Sequence, residues 1–392
     1  MASPGSVPNG RDTLQIARQR VATSNFFALC YLMLCNLAYA DENDGQKAVQ
    51  QITQSLPDMP VPDGTVQGKW HLGWGPQVTQ DNSNLMYAAE LIDSATGLPV
   101  FSAVVIRGTD TQAKPSGILK QLAEDITAEV QVPFPANNSV GAKIAAGTKA
   151  GLDILERFTD SSNRTVQKYL NDFLAQNPDA PVVVTGHSLG GCQTTVLAMD
   201  LAATLPAKTI MVPNTFAAPT AGNSAFANLY QQTFPFAPRW FNSIDLVPMA
   251  FANLAGIKNL WTQCNRPAPE IFKLTLDAFG LLLARVNAGY TQPSRDDRQL
   301  GGGCQPPAAP TAVSARLEQA VAEIQTLLQQ FAQKRGIPIP AFMFPFNQIG
   351  DWVKELLYQH LIPTGYWNAV RDWQGVASIP NRLAQASAAS GN

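Results

Sequence analysis

Residues 181–199 read PVVVTGHSLGGCQTTVLAM and constrain the chain more than any other stretch. Val182, Val183, Val184 and Thr185 form a β-branched run suited to a buried strand. A tight turn, Gly186-His187-Ser188-Leu189-Gly190-Gly191, follows, and Val196, Leu197 and Leu201 then recur at helical spacing. A strand that turns directly into a helix needs glycines where the two backbones approach. Gly186 and Gly190 supply them on either side of Ser188. Ser188 then stands at the top of the turn, beside helix N–H groups that have no intrahelical partner. With Gly and Ser each near ~7% of residues, three fixed positions match by chance about 0.1 times in a chain this long. The flanking strand and helix therefore carry the inference: strand, G-x-S-x-G turn and helix form the context of a nucleophile elbow. The alternative is a glycine-rich βα turn without chemistry.

The rest of the chain is large enough to surround such a turn. Its 392 residues, 45% hydrophobic and 14% charged, suffice for one large core with a sizeable insertion. The formal charge of -2, from 27 basic and 29 acidic residues, gives no sign of a nucleic-acid-binding surface. The five cysteines, Cys30, Cys35, Cys192, Cys264 and Cys304, include no C-x-x-C pair, which argues against a zinc site. Cys264 and Cys304 flank a Gly- and Pro-rich segment and are candidates for a disulfide, a pairing the sequence leaves open.

Taken in order, residues 1–12 read as a flexible leader. Asn25–Ala40 is strongly apolar, too short for a spanning helix, and is expected to be a buried helix rather than a signal segment. That expectation leaves a cytoplasmic location or export by a signal-less route, with secretion the alternative. Pro57–Pro76 reads as Pro- and Gly-rich loop. Leu85–Leu91 and Val100–Ile106 read as a hairpin turning at Asp93–Gly97. A short amphipathic helix is expected around Ile118–Ile126, and further helices over Ala142–Phe158 and Val166–Ala175. Beyond the elbow, strands are expected over Lys208–Phe216 and Arg239–Ile244, with a helix over Ser224–Thr233. Strands alternating with helices predict an α/β fold with a mostly parallel central sheet flanked by helices.

After Asp245 the alternation stops. Residues 251–345 are expected to be a helical insertion within a single domain spanning 1–392. It contains helical patterns at Ile271–Val286 and Val313–Phe331, the second cleanly amphipathic. These helices either pack on the core or form a lid over the site. A helical turn over Trp352–Tyr358 leads to His360.

A serine hydroxyl is a weak nucleophile that needs a base, and the base needs an orienting carboxylate. In α/β-hydrolase sites they follow in the order Ser, Asp/Glu, His. The chain has three histidines, and only His360 lies downstream of Ser188; His187 sits within the turn, where its side chain should point away. Asp245 is the carboxylate that directly follows a predicted strand, at the end where ligands collect in open α/β sheets. Oxyanion stabilisation needs aligned donors, and the backbone N–H of Leu189 is one. The Arg107-Gly108-Thr109 turn at an earlier strand end is placed to supply a second.

Four blocks carry a family resemblance: VVIRGTD, VTGHSLGG, NTFAAPTAGNSAFA followed by RWFNSIDLVPMA, and QHLIPTGYW. With them, the segment from about Leu85 to Trp367 resembles the class 3 lipases, the fungal-type triacylglycerol lipases and their bacterial relatives. The resemblance implies an α/β-hydrolase fold with a helical lid. It implies Ser188 as nucleophile, Asp245 as acid, His360 as base, and backbone N–H groups of Thr109 and Leu189 as the oxyanion hole. It further implies an ester hydrolase acting on acyl lipids, of lipase or phospholipase type, with no metal or cofactor and a lipid surface as its partner. Two features depart from the family. Gln121–Asp125 lacks the tryptophan usual after the oxyanion turn, and the large insertion lies between Asp245 and His360. Two alternatives stay open: an esterase for soluble or polymeric esters, and a non-catalytic interaction protein on a lipase fold.

Overall fold

A computed structural model describes residues 10–23, 26–41, 44–61, 66–108, 130–136, 141–294, 296–304, 333, 352 and 355–373. Seven strands form the central sheet: β1 (Gly68–Val78), β2 (Leu85–Asp93), β3 (Pro99–Ile106), β6 (Val182–His187), β7 (Met211–Phe216), β8 (Pro238–Asn242) and β9 (Asp296–Leu300), in that spatial order. A separate two-stranded ribbon pairs β4 (Gln131–Pro133) with β5 (Lys143–Ala145). β1 pairs with β2 and β2 with β3 antiparallel, whereas β3, β6, β7, β8 and β9 pair in parallel. This is the mostly parallel, helix-flanked sheet expected from the strand–helix alternation, with the hairpin added at one side.

The two faces of the sheet follow from side-chain alternation. Phe101, Ala103, Val105 and Val183 face α1 (Gly10–Thr23), α2 (Ala28–Leu37), α3 (Gly45–Ser55) and a late helix, α9 (Trp367–Trp373). Val104, Ile106, Val182 and Val184 face α4 (Ala146–Arg157), α5 (Val166–Gln176), α6 (Leu189–Thr204) and α7 (Ser224–Thr233). β3 and β6 are buried on both faces, which is why they read as continuous apolar runs. The apolar stretch before Ala40 forms α2, in which Leu29, Leu32, Leu34 and Cys35 are fully or nearly fully buried. Each buried leucine there contributes about 1.5–3 kcal/mol of apolar transfer.

Three expectations change. The leader does not extend through residue 12, because α1 begins at Gly10. The stretch read as loop to Pro76 contains most of β1: its glycines and proline mask a strand that turns Trp70 and Trp74 inward. Its pairing with β2 shifts between Leu72 and Trp74 and again between Trp74 and Gln77, as suits an irregular edge strand. The 251–345 segment is not helical throughout. It holds a helical turn, Leu254–Ile257, and α8 (Glu270–Arg285), but also β9, which joins β8 in the main sheet. The sequence of β9, DDRQL, lacks apolar alternation; an ion pair between Asp297 and Arg239 ties it to β8, while Asp296 pairs with Arg298 within the strand.

Cys264 and Cys304 form a disulfide, and Cys30, Cys35 and Cys192 are buried thiols. Among the described residues, no helix is long and apolar enough to cross a membrane. The helices expected at 118–126 and 313–331 lie outside the described residues.

Candidate active site

The turn after β6 brings backbones closer than side chains would allow. A Cβ on Gly186 would meet the Gly190 carbonyl oxygen at 2.3 Å, and one on Gly190 would meet that of Ile106 at 2.2 Å. Glycine at both positions lets α6 start directly against β6 and β3. Ser188 occupies φ +60°, ψ −131°, a conformation that L-residues rarely adopt. Such strain persists only where the surroundings hold it, and it marks functional sites. Its N–H donates to the Phe216 carbonyl, and its own carbonyl accepts from Gly191 and Cys192.

Two segments far along the chain meet Ser188. His360, at the end of a short helix over 355–360, lies with Nε2 2.8 Å from Ser188 Oγ. Its Nδ1 lies 2.8 Å from Asp245 Oδ2. Asp245 follows β8 by three residues, in the turn Asn242–Asp245 closed by the Asp245 N–H. Asp245 and His360 are fully buried, and Ser188 nearly so. The predicted trio is therefore one hydrogen-bonded chain, with the imidazole oriented to take a proton on Nε2 and present Nδ1–H to the carboxylate.

Asp245 has further donors. Tyr366 Oη–H donates to Oδ2 at 2.7 Å, and the Val247 N–H donates to Oδ1 at 3.0 Å. Burial, and next the Asp245 charge, hold the Tyr366 phenol well above its ordinary pKa, so it remains a protonated donor. Tyr366 sits in a π-helical turn, Ile362–Tyr366, and also accepts from the Asn242 N–H at 3.1 Å. Sequence reading did not find it, since nothing in GYW marks a tyrosine whose hydroxyl turns inward.

The His187 ring contacts His360 and Tyr39. Its Nε2 donates to the His360 carbonyl at 2.9 Å, and its ring lies 4.9 Å from the His360 ring. Burial, and secondarily His360, push its pKa well below the ordinary value. His187 therefore stays neutral and sets no positive charge against an imidazolium at His360. With Nε2 the donor, Nδ1 is the acceptor, and Tyr39 Oη lies 3.3 Å from it. Tyr39 Oη also lies 3.3 Å from the His187 carbonyl and accepts from the Gly108 N–H at 3.1 Å.

The last contact joins the elbow to the turn after β3. A Cβ on Gly108 would meet the His187 carbonyl oxygen at 2.4 Å and Ser188 Cβ at 3.0 Å. Leu189 is the first residue of α6, where N–H groups are free of intrahelical bonds. Thr109, the other expected oxyanion residue, lies outside the described residues. The structure thus gathers Ser188, Asp245, His360, Leu189 and the Arg107–Gly108 end of β3 at one end of the parallel strands.

Residues 103–254 match the sequence profile of the lipase (class 3) family. A lipase from Rhizomucor miehei is 33% identical over 129 residues, which span 31% of this chain and 35% of that protein. The match thus spans about a third of that curated relative's length. The crystal structure of M37 lipase superposes with a TM-score of 0.60 at 21% identity, covering 83% of this chain and 98% of that one. At that identity the likeness concerns the architecture, which is that of the α/β-hydrolases. Residues 103–254, which carry the strand, elbow and acid blocks, are thus similar to the class 3 lipase family.

Proposed function

We propose that this protein is a serine ester hydrolase that cleaves acyl lipids through an acyl-enzyme. Ser188 Oγ attacks the ester carbonyl while His360 Nε2 takes its proton. Asp245 stabilises the imidazolium, and Tyr366 and Val247 hold that carboxylate in place. Backbone N–H groups of Leu189 and Thr109 receive the tetrahedral oxyanion; losing one such donor typically costs about 3 kcal/mol of transition-state stabilisation. His360 then protonates the leaving alcohol, and water activated by the same imidazole releases the fatty acid.

The observation that carries this reading is the Ser188–His360–Asp245 hydrogen-bond chain, 2.8 Å at each link, centred on a strained serine. Its test is hydrolysis of p-nitrophenyl acyl esters by wild type and Ser188→Ala. The variant is expected to remain folded and lose turnover, with fluorophosphonate labelling lost at the same position. Normal activity in Ser188→Ala would refute the assignment. Failure of the wild type to take the fluorophosphonate label would favour a non-catalytic role.

The lipid part of the proposal rests on the similarity of residues 103–254 to the class 3 lipases and includes a covering role for the 251–345 segment. Deleting Val313–Phe331 should alter hydrolysis of emulsified lipid more than that of soluble esters; equal effects would remove the lid. An acyl-chain-length profile peaking at short soluble esters would redirect the proposal to a carboxylesterase.

A further inference from the structure

Beneath the acid–base pair lies a buried polar hub that the reaction itself leaves unused. Gln359, one residue before His360, is 1% exposed, yet both ends of its amide are engaged. Its Oε1 accepts from Asn242 Nδ2 at 2.6 Å; its Nε2 donates to Glu355 Oε1 at 2.6 Å and to the Gly303 carbonyl at 2.7 Å. Asn242 also donates to the Gln359 carbonyl at 3.2 Å, and its Oδ1 accepts from the Ile244 N–H at 3.1 Å. The hub therefore grips the backbone one residue before the acid and one residue before the base. Glu355 is fully buried and ion-paired with Arg266. Apolar side chains would pack this helix without the desolvation cost of a carboxylate and two amides. What a satisfied polar network adds is a single geometry.

Two of the hub's partners come from segments that are covalently joined. Arg266 lies two residues after Cys264, and Gly303 immediately precedes Cys304, its disulfide partner across a sequence separation of 40. Gly303 is itself exposed, so its carbonyl reaches the buried Gln359 only as its flanks hold it. One flank is β9, which ends at Leu300, and the other is the disulfide. On the opposite strand of the cross-link, Trp261 anchors the loop by donating Nε1–H to the Ile244 carbonyl at 2.7 Å.

We propose that Gln359 and Glu355 are positioning residues for His360, and that the Cys264–Cys304 disulfide sustains turnover by holding Arg266 and Gly303 against them. The proposal rests on the reading of Ser188 and His360 as the reaction centre. A displacement of about 1 Å at a reacting group costs up to ~100-fold in rate. The disulfide thus acts on the rate of the chemical step and leaves ester binding alone.

The test compares wild type, Gln359→Met, the Cys264→Ser/Cys304→Ser pair and the combined variant. Turnover of p-nitrophenyl butyrate is measured at a temperature where each is folded by circular dichroism. Gln359→Met should lower kcat about tenfold with KM within about twofold. The cysteine pair should lower kcat about three- to tenfold, and the combined variant should lose little more than Gln359→Met alone, because both changes act through one network. A merely structural hub would lower melting temperature and leave kcat of the folded protein unchanged. The proposal is overturned if both variants keep kcat within about twofold of wild type, or if their losses multiply in full. Should Gln359→Met fail to fold, the cysteine pair decides: reduced kcat at unchanged KM supports the proposal, and wild-type kcat overturns it. Ser188→Ala is run in parallel; if it turns over normally, the reading of the reaction centre has failed, whatever the hub variants do.

Discussion

Ser188 is held by backbone: three glycine approaches, at Gly186, Gly190 and Gly108, fix the elbow against the ends of β6, α6 and β3. Asp245 and His360, separated by 115 residues, are held by side chains: Tyr366 on the Asp245 carboxylate, His187 on the His360 carbonyl, and Asn242 with Gln359 between them. Backbone approaches tolerate almost no change, because nothing can move aside when a Cβ meets a carbonyl oxygen near 2.2 Å. Side-chain holds are distributed, so each can be lost singly at a graded cost. Ser188 is therefore legible in a short motif, while the placement of His360 is spread over the fold.

This contrast can be broken or sharpened by mutation, beginning with the largest effect. Asp245→Asn should leave the fold intact but lower kcat by about 10⁴-fold, since an amide cannot hold the imidazole tautomer that takes the serine proton. Steady-state kinetics with a matched thermal melt checks this. Gly190→Ala should destabilise by about 3 kcal/mol or prevent soluble expression, because the Ile106 carbonyl blocks the new methyl. A melting temperature close to wild type would show that the elbow is looser than its backbone distances imply.

Tyr366→Phe removes one donor to the Asp245 carboxylate and should lower kcat/KM about tenfold. Steady-state kinetics checks this, and an unchanged kcat/KM would mean that His360 and Val247 suffice to hold the carboxylate. Tyr39→Phe should cost only a few-fold in kcat, as Gly108 is also confined by direct backbone contact with the elbow.

The smallest effect is on stability against pH. His187 is buried with a pKa pushed below its unfolded value, so the unfolded chain binds the proton more readily. Its contribution is complete above about pH 6.5 and falls as pH drops below that value toward the folded pKa. His187→Gln should flatten this acid-side loss in chemical denaturation at a series of pH values. An unchanged slope would remove His187 from the acid sensitivity of the fold.

Much of the architecture was legible because it is written in local pattern. The apolar runs of β3 and β6, the helical patterns of α5 and α7, and the elbow all signal themselves over six to sixteen residues. β1 and β9 were not legible: one hides its strand behind glycines and a proline, the other is polar and held by ion pairs at the sheet edge. Among site residues, the scarcity of histidine singles out His360 as the candidate base, and a strand end singles out Asp245 as the candidate acid. Tyr366, His187, Tyr39 and Gln359 carried no such mark. Their roles depend on which way a side chain turns once distant segments have packed.

By itself the sequence determined that a strand–glycine–helix turn would present Ser188, and that few other residues were eligible to serve it. It did so because close backbone approach demands glycine, and glycine at that spacing is visible in the chain. Only the tertiary structure decided that Cys264 joins Cys304, that β9 joins the sheet, and that one buried hub ties the backbone beside Asp245 to that beside His360. Those outcomes are pairings across 40 to 117 residues, and long-range pairing is selected by the packing of the whole rather than by any local pattern.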